Sequence, residues 1–162
     1  MSTISDTHKI EEVRKDLVRL NSEARAADPL MEGITRLLHE RMLKYNWVGF
    51  YMLEPGVKPP MLVLRHFQGA MTPHTRIPLN QGICGAAASS GKTVVVDDVS
   101  SDPRHLACSL ETKSEIVVPV FVHGVVAGEL DIDSHFPAAF GFEDRELVEY
   151  CAQLAGKRLE GT

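Results

Sequence analysis

Residues 115–133 read EIVVPVFVHGVVAGELDID, and this stretch decides how the chain folds. Two apolar runs are joined by His123-Gly124, a pair suited to a two-residue β-turn. The pattern predicts an antiparallel hairpin in which Val122 faces Val125 across the turn. Antiparallel strands combined with helices elsewhere in the chain indicate an α+β fold.

The second strand of this hairpin carries an acidic face. Glu129, Asp131 and Asp133 occupy every second position, so they point to one side of the sheet, while Leu130 and Ile132 point to the other. Three like charges on one face repel each other unless they are solvated or occupied by a cation. The pattern leaves two interpretations open: a wet sheet face, or a pocket that binds an ammonium group or supplies a proton.

Glu115, on the first strand, can join this acidic face only if the ladder is irregular. In a regular ladder closed by a two-residue turn, Asp131 faces Ile116, and Glu115 points to the opposite side. A one-residue bulge would bring Glu115 to the aspartates. Because Pro119 cannot donate a ladder hydrogen bond, we predict a bulge or twist between Glu115 and Pro119.

The remaining elements are predicted from periodicity and turn residues. Helices are expected over 7–26, from Asp28-Pro29 to about Lys44, over ICGAAASS and over FEDRELVEYCAQLAGKRLEG, and further strands over 46–54, 61–67 and 93–98. These elements give a central antiparallel sheet of about five to six strands with terminal helices on one face. The irregular segments 69–82 and 99–114 would cover the other face, where a ligand pocket is expected.

Composition limits the classes of protein to consider. The 162 residues suit one domain, expected to span 1–162 with a core of about 28–160, and 44% hydrophobic and 24% charged residues are ordinary for a globular protein. A net charge of -5 argues against nucleic-acid binding. The sequence has no apolar run long enough to span a membrane and no signal-peptide core. We therefore interpret the protein as cytoplasmic.

The three cysteines differ in their surroundings. Cys151 lies on the apolar stripe of the last helix and reads as a core residue. Cys84 is either packed at a helix start or exposed near the positive helix end, which would lower its pKa. Cys108 lies outside any periodic pattern, and its neighbours Arg104 and His105 favour a thiolate. No CxxC spacing occurs, so we expect no metal site.

Two aromatic residues are candidates for a pocket wall. Trp47 and Tyr51 are four residues apart in NWVGFY and share one face of their strand, while Phe50 points away. The sequence leaves open whether they pack in the core or line a pocket for a small apolar or cationic group.

The segments NWVGFY, RIPLNQGICGAA, HLACSLETKSEIVVPV and GELDIDS, in this order, resemble the free methionine-(R)-sulfoxide reductases, which are single GAF domains. The similarity runs from about residue 10 to residue 160. It implies a GAF fold, a cytoplasmic homodimer and reduction of the free amino acid methionine sulfoxide. It also implies no bound cofactor and an external reductant such as thioredoxin.

The resemblance assigns catalytic roles by motif. Cys108 matches the nucleophilic cysteine, whose thiolate would attack the sulfoxide sulfur and become a sulfenic acid. A carboxylic acid among Glu115, Asp131 and Asp133 would protonate the oxygen, which leaves as water. Cys84 matches a second cysteine, which would resolve the sulfenic acid as a disulfide.

Substrate-binding roles follow from the same motifs. Trp47 and Tyr51 would hold the methyl-sulfoxide end, and the charge of Glu115, Asp131 and Asp133 would bind the substrate ammonium group.

The sequence also departs from the family pattern. The stretch FQGAMTPHTRIP lacks a cysteine that the fullest form of the family carries before RIP. This loss leaves the recycling step open between Cys84 and an external thiol. It also keeps an alternative function open, a non-catalytic GAF module that binds or senses a small molecule. The reactivity of Cys108 would separate the two, because a binding module does not need a reactive thiol.

Overall fold

The computed structural model describes residues 4–105 and 111–162 and, at positions 4 and 5, the backbone alone. Within these residues the helices are α1 (Ile4–Glu23), α2 (Ala27–Arg41), α3 (Gly82–Ser90) and α4 (Phe142–Glu160). The strands are β1 (Trp47–Leu53), β2 (Met61–Gln68), β3 (Arg76–Pro78), β4 (Val94–Val96), β5 (Ser114–Val122) and β6 (Val125–Ser134). A short 3₁₀ turn at Val99–Ser101 follows β4.

The strands form one sheet in the order β3-β2-β1-β6-β5-β4, and each neighbouring pair is antiparallel. This confirms the α+β class and the expected sheet of five to six strands. The sixth strand is β3, a three-residue strand inside the segment predicted to be irregular. It is too short to show a periodic pattern, and its pairing with β2 defines it.

The β5–β6 hairpin has the predicted turn but not the predicted irregularity. His123 (φ 51°) and Gly124 (φ 77°) both adopt the left-handed conformation that a two-residue hairpin turn requires. The ladder is regular from Ser114 to Val120, so the prediction of a bulge between Glu115 and Pro119 was wrong. The register shifts between Val120 and Phe121 instead.

This shift nevertheless places Glu115 on the acidic face. Beyond it Val120 faces Gly128, whereas Phe121 faces Val126, so Ala127 is the extra residue of the bulge. Each pair further from the turn is displaced by one position, and Glu115 therefore faces Asp133.

Pro119 fits the regular ladder because of where the neighbouring strand ends. β4 pairs with β5 only from Glu115 to Val117, so one side of β5 is uncovered at Pro119. A missing N–H on an uncovered side costs no ladder hydrogen bond. The proline thus marks the end of the cover from β4 rather than a bulge.

The start of the second helix also differs from the prediction. The N-cap is Ala26, in extended conformation, and not Asp28. Asp28 and Pro29 lie within the first turn, where backbone N–H groups have no partner in the helix and a carboxylate is favourable. Proline is therefore tolerated two positions further in than expected.

Alternation along the central strands divides the interior into two layers. One sheet face packs against α1, α2 and α4 through residues such as Val48, Phe50, Ile116, Leu130 and Ile132. The other packs against α3 through Trp47, Tyr51, Val117, Ile83 and Ala87. This second face is the one that carries the acidic residues.

Among the residues that the structure describes, we find no helix with the length and apolar character needed to cross a bilayer.

Candidate active site

One wall of the candidate site is aromatic and comes from β1. The ring centroids of Trp47 and Tyr51 are 6.1 Å apart, and the Trp47 indole stacks on Phe67 at 5.8 Å. Trp47 Nε1 donates a hydrogen bond to the carbonyl oxygen of Ala70 (3.0 Å), and the Tyr51 hydroxyl donates one to the carbonyl oxygen of His74 (2.6 Å). These two bonds tie the loop after β2 over the sheet.

A cavity with about 570 Å³ of empty space, partly open to solvent, lies beneath this loop. The described residues that line it are Asn46, Trp47, Tyr51, Ala70, Met71, Thr72, Glu111, Thr112, Asp133 and His135. The two aromatic residues and Asp133 thus share one cavity, as the sequence predicts.

Gly49 lies between the two aromatic residues on the same face and makes room for the indole. A Cβ atom at this position would lie 2.4 Å from Trp47 Cη2 and 2.7 Å from Cζ3, closer than atoms can approach. We expect Gly49→Ala to displace the indole and to raise the KM for the substrate by about 10-fold or more. Steady-state kinetics and a thermal melt would measure this effect.

Gly161→Ala is the matched control, because its added Cβ would meet Arg158 O at an ordinary 3.5 Å. A KM in Gly49→Ala equal to that of the control would exclude a role for the indole position.

The carboxylates meet where β1, β6 and β5 run side by side. Asp133 is flanked by Glu115 on β5 and by Trp47 on β1, while Asp131 is flanked by Val117 and Gly49. The side chains of all three acids are buried: Glu115 is 6%, Asp131 4% and Asp133 6% exposed. Glu115 and Asp131 therefore lie next to Asp133 but not on the cavity lining. The interpretation of a wet sheet face is wrong.

Burial and mutual interaction distribute the protons within this cluster. Burial is the largest cause that raises the pKa of Asp131 and of Asp133 well above the usual value. The charges of Asp133 and Glu115 raise the pKa of Asp131 further, and the charge of Glu115 raises that of Asp133, which a hydrogen bond with Asp131 lowers in part. Burial would raise the pKa of Glu115 too, but interactions with His105, Asp131 and Asp133 outweigh it and lower this pKa. His105 Nδ1 lies 3.8 Å from Glu115 Oε1. The site thus combines an ionised Glu115 with protonated aspartates.

Cys84 lies in the first turn of α3, packed against the acidic face. It is 5% exposed, and its Sγ donates a hydrogen bond to Asp131 Oδ2 at 3.5 Å. Burial raises its pKa well above the usual value, and Asp131, Glu129 and Glu115 raise it further. Of the two alternatives, the structure therefore selects the packed thiol, because Cys84 is buried and both burial and the nearby carboxylates raise its pKa.

Cys108, the predicted nucleophile, lies outside the described residues. The structure therefore gives no distance between Cys108 and Cys84. The described residues on either side of it both lie at the candidate site. His105 approaches Glu115, and Glu111 lines the cavity. Arg104, one of the two predicted cationic neighbours, forms an ion pair with Asp102 at 2.6 Å.

Cys151 is a core residue, as predicted. It is fully buried between α4 and the sheet, and burial raises its pKa to about 12.

Glu129 is a member of the site to which the sequence analysis gave no role. It is fully buried, faces Tyr51 across β6 and β1, and raises the pKa of Cys84. Alternation in GELDIDS already places it beside Asp131, so the signal was present. The approach of His105 to Glu115 had no such signal, because it depends on the path of the loop after β4.

Comparison with known proteins agrees with this geometry. A family model described as GAF domain matches residues 27–159. The free methionine-R-sulfoxide reductase of Escherichia coli is 40% identical over 125 residues, which cover 76% of this chain and 73% of the relative.

Two solved structures are similar over nearly the whole chain. The free methionine-R-sulfoxide reductase of Neisseria meningitidis, in complex with its substrate, is 37% identical with a TM-score of 0.84, covering 94% of this chain and 90% of that one. The Staphylococcus aureus fRMsr, also in complex with substrate, is 34% identical with a TM-score of 0.82, covering 93% and 95%. The chain therefore belongs to the free methionine-R-sulfoxide reductase family of GAF-domain oxidoreductases.

Proposed function

We propose that this protein reduces free L-methionine-(R)-sulfoxide to methionine with electrons from thiols. The observation that carries the proposal is the buried set of Glu115, Asp131 and Asp133 beside a cavity with an aromatic wall. A free amino acid presents both an ammonium group and a polarised sulfoxide, and this site offers a partner for each. The relatives named for this activity support the assignment.

The binding step uses the aromatic wall of the cavity and the negative charge that lies next to Asp133. The ionised Glu115 supplies negative charge for the substrate ammonium group, and the Trp47 and Tyr51 rings contact the methyl-sulfoxide end. Because Asp133 lines the cavity and retains a proton, it is placed to donate a hydrogen bond to the sulfoxide oxygen.

The chemical step oxidises the Cys108 sulfur by two electrons and reduces the substrate sulfoxide by the same two electrons. The Cys108 thiolate attacks the sulfoxide sulfur and forms an S–S bond, while the oxygen takes two protons and leaves as water. Water then attacks the Cys108 sulfur, the S–S bond breaks, and methionine leaves with the electron pair. The sulfoxide is thereby reduced to methionine, and Cys108 is oxidised to a sulfenic acid.

Recycling returns Cys108 to the thiol. A second thiol attacks the sulfenic sulfur, releases water and forms a disulfide, which an external dithiol such as thioredoxin then reduces. We propose Cys84 as this resolving thiol, in a chain that acts as a homodimer. In the reduced state Cys84 is a buried neutral thiol, so resolution requires loss of its proton to a neighbouring carboxylate.

The proposal is tested by assaying the purified protein with free methionine-R-sulfoxide, first with dithiothreitol and then with thioredoxin. We expect turnover with both reductants, and less than about 1% of that rate with the N-acetylated compound, which lacks the ammonium group. Turnover with dithiothreitol but not with thioredoxin would show that the reduction step works and that recycling by thioredoxin fails. A protein inactive with both reductants, or equally active on the N-acetylated compound, would contradict the proposal.

A further inference from the structure

Three potential metal-ligand atoms converge behind the cavity from separate elements. A sulfur from Cys84 and one oxygen each from Glu115 and Asp131 all lie within 4.8 Å of one another. Tetrahedral zinc needs such ligand atoms about 3.3–3.8 Å apart. The distance from Cys84 Sγ to Asp131 Oδ2 is already 3.5 Å. Small side-chain rotations would therefore complete a three-ligand set.

Unpaired polar atoms indicate that this cluster is built to hold something further. Both carboxylate oxygens of Glu129 and the Oδ1 atom of Asp131 are buried. None of them has a hydrogen-bond partner among the described residues. The carboxyl of Glu129 interacts with the Cys84 thiol at the same place. Buried oxygens without donors are costly unless a cation or a ligand satisfies them. Glu129 can thus provide a fourth ligand atom.

The ligand types select one class of cation. Sulfur is a poor ligand for Mg²⁺ and Ca²⁺, which prefer oxygen in larger coordination shells. One thiolate with two or three carboxylate oxygens in a compact site suits Zn²⁺, and also its usual substitutes Co²⁺ and Cd²⁺. The absence of CxxC spacing predicted no metal site, whereas these ligands come from three separate elements, α3, β5 and β6.

We propose that Zn²⁺ binds the reduced protein at Cys84, Glu115 and Asp131, with Glu129 as a further oxygen ligand, and thereby blocks the substrate pocket. The Cys84 thiol and the protonated carboxyls of Asp131 and Glu129 release their protons as the Zn–S and Zn–O bonds form, and no electron is transferred. The metal takes Glu115, the carboxylate to which the proposed function assigns the substrate ammonium group. Zinc and substrate consequently exclude each other.

Metal binding is measured directly on protein that has been reduced, freed of reductant and kept without oxygen. Titration with Co²⁺ should produce a thiolate-to-cobalt charge-transfer band with one ion per chain, and Zn²⁺ should displace it. We expect Cys84→Ser to remove the band and to weaken Zn²⁺ binding at least about 100-fold in calorimetry. Glu129→Gln, which keeps the thiol, should weaken binding about 10-fold.

Two matched variants exclude other ligand sets. Cys108→Ser removes the other thiol expected near the site, and His135→Gln removes an imidazole at the cavity rim. Both should keep the band. Loss of the band in Cys108→Ser, its survival in Cys84→Ser, or displacement of Co²⁺ by equimolar Mg²⁺ would overturn the proposed site.

Inhibition is tested separately, in a single turnover without added thiol. Zn²⁺ at the concentration that displaces Co²⁺ should suppress methionine formation, and excess substrate should restore it. A protein that binds Zn²⁺ as described but never reduces the sulfoxide contradicts the proposed function alone. A protein that is active but binds no Zn²⁺ contradicts this inference alone.

Discussion

Reduction of free methionine-R-sulfoxide is expected to fall by at least about 1,000-fold when Cys108 is replaced by serine. A serine hydroxyl has almost no anionic form at neutral pH, so it cannot attack the sulfoxide sulfur. The cavity walls that we propose to bind the substrate, Trp47, Tyr51 and Asp133, are unchanged. Substrate affinity, measured by calorimetry, should therefore change by less than about 10-fold while methionine formation stops.

Cys84→Ser is the matched control, since it makes the same atomic change at the other cysteine of the site. In the absence of added reductant it should still form about one methionine per chain, because oxidation of Cys108 precedes resolution. Thioredoxin-supported turnover should fall by about 10-fold or more if Cys84 resolves the sulfenic acid. Methionine formation by Cys108→Ser would overturn the assignment of the nucleophile. Unchanged thioredoxin turnover in Cys84→Ser would transfer resolution to an external thiol.

The second large effect is expected at Asp133. Burial and the charge of Glu115 raise the pKa of Asp133, so the carboxyl keeps its proton below this raised value and loses it as the pH rises through it. Asp133→Asn keeps a hydrogen-bond donor of similar shape but has no proton to transfer. We expect kcat to fall about 100-fold or more, with KM changed by less than about 5-fold.

The pH profile distinguishes proton donation from a merely structural role. In the wild type, kcat should decline as the pH rises through the raised pKa, whereas the residual kcat of Asp133→Asn should lack this decline. Glu32→Gln is the control: it neutralises an exposed carboxylate that pairs with Arg36 on α2, away from the sheet face with the acids. A full decline of kcat in Asp133→Asn would assign the proton to Asp131 instead.

Much of the fold was predictable because local patterns agree with the final packing. The apolar runs on either side of His123-Gly124, the alternation in GELDIDS and the periodicity of the terminal helices each specify one element and its buried face. The three-residue strand β3 was not predictable, since only its pairing with β2 defines it.

The site was predictable in its residues more than in its electrostatics. Alternation groups Glu129, Asp131 and Asp133, and it groups Trp47 with Tyr51. The pKa of Cys84 depends on how α3 packs over β6, a long-range contact with no local signature. A one-residue bulge is needed to bring Glu115 to the aspartates, and the hairpin has one, but not at the predicted place. The prediction used Pro119 as the mark of the bulge, whereas β4 does not pair with β5 at Pro119, so the proline fits a regular ladder.

The single extra residue in the β5–β6 hairpin has a consequence for how this protein can evolve. Ala127 shifts the register between the two strands by one residue. This shift places Glu115 opposite Asp133, whereas without it Glu115 would point to the sheet face that packs against the helices. An insertion or deletion of one residue near the turn, more than 10 Å of strand from the acids, would therefore act as a change in the active site. Hairpin length in functional descendants of this chain should vary by even numbers, while the turn residues can change to any types that tolerate the left-handed conformation.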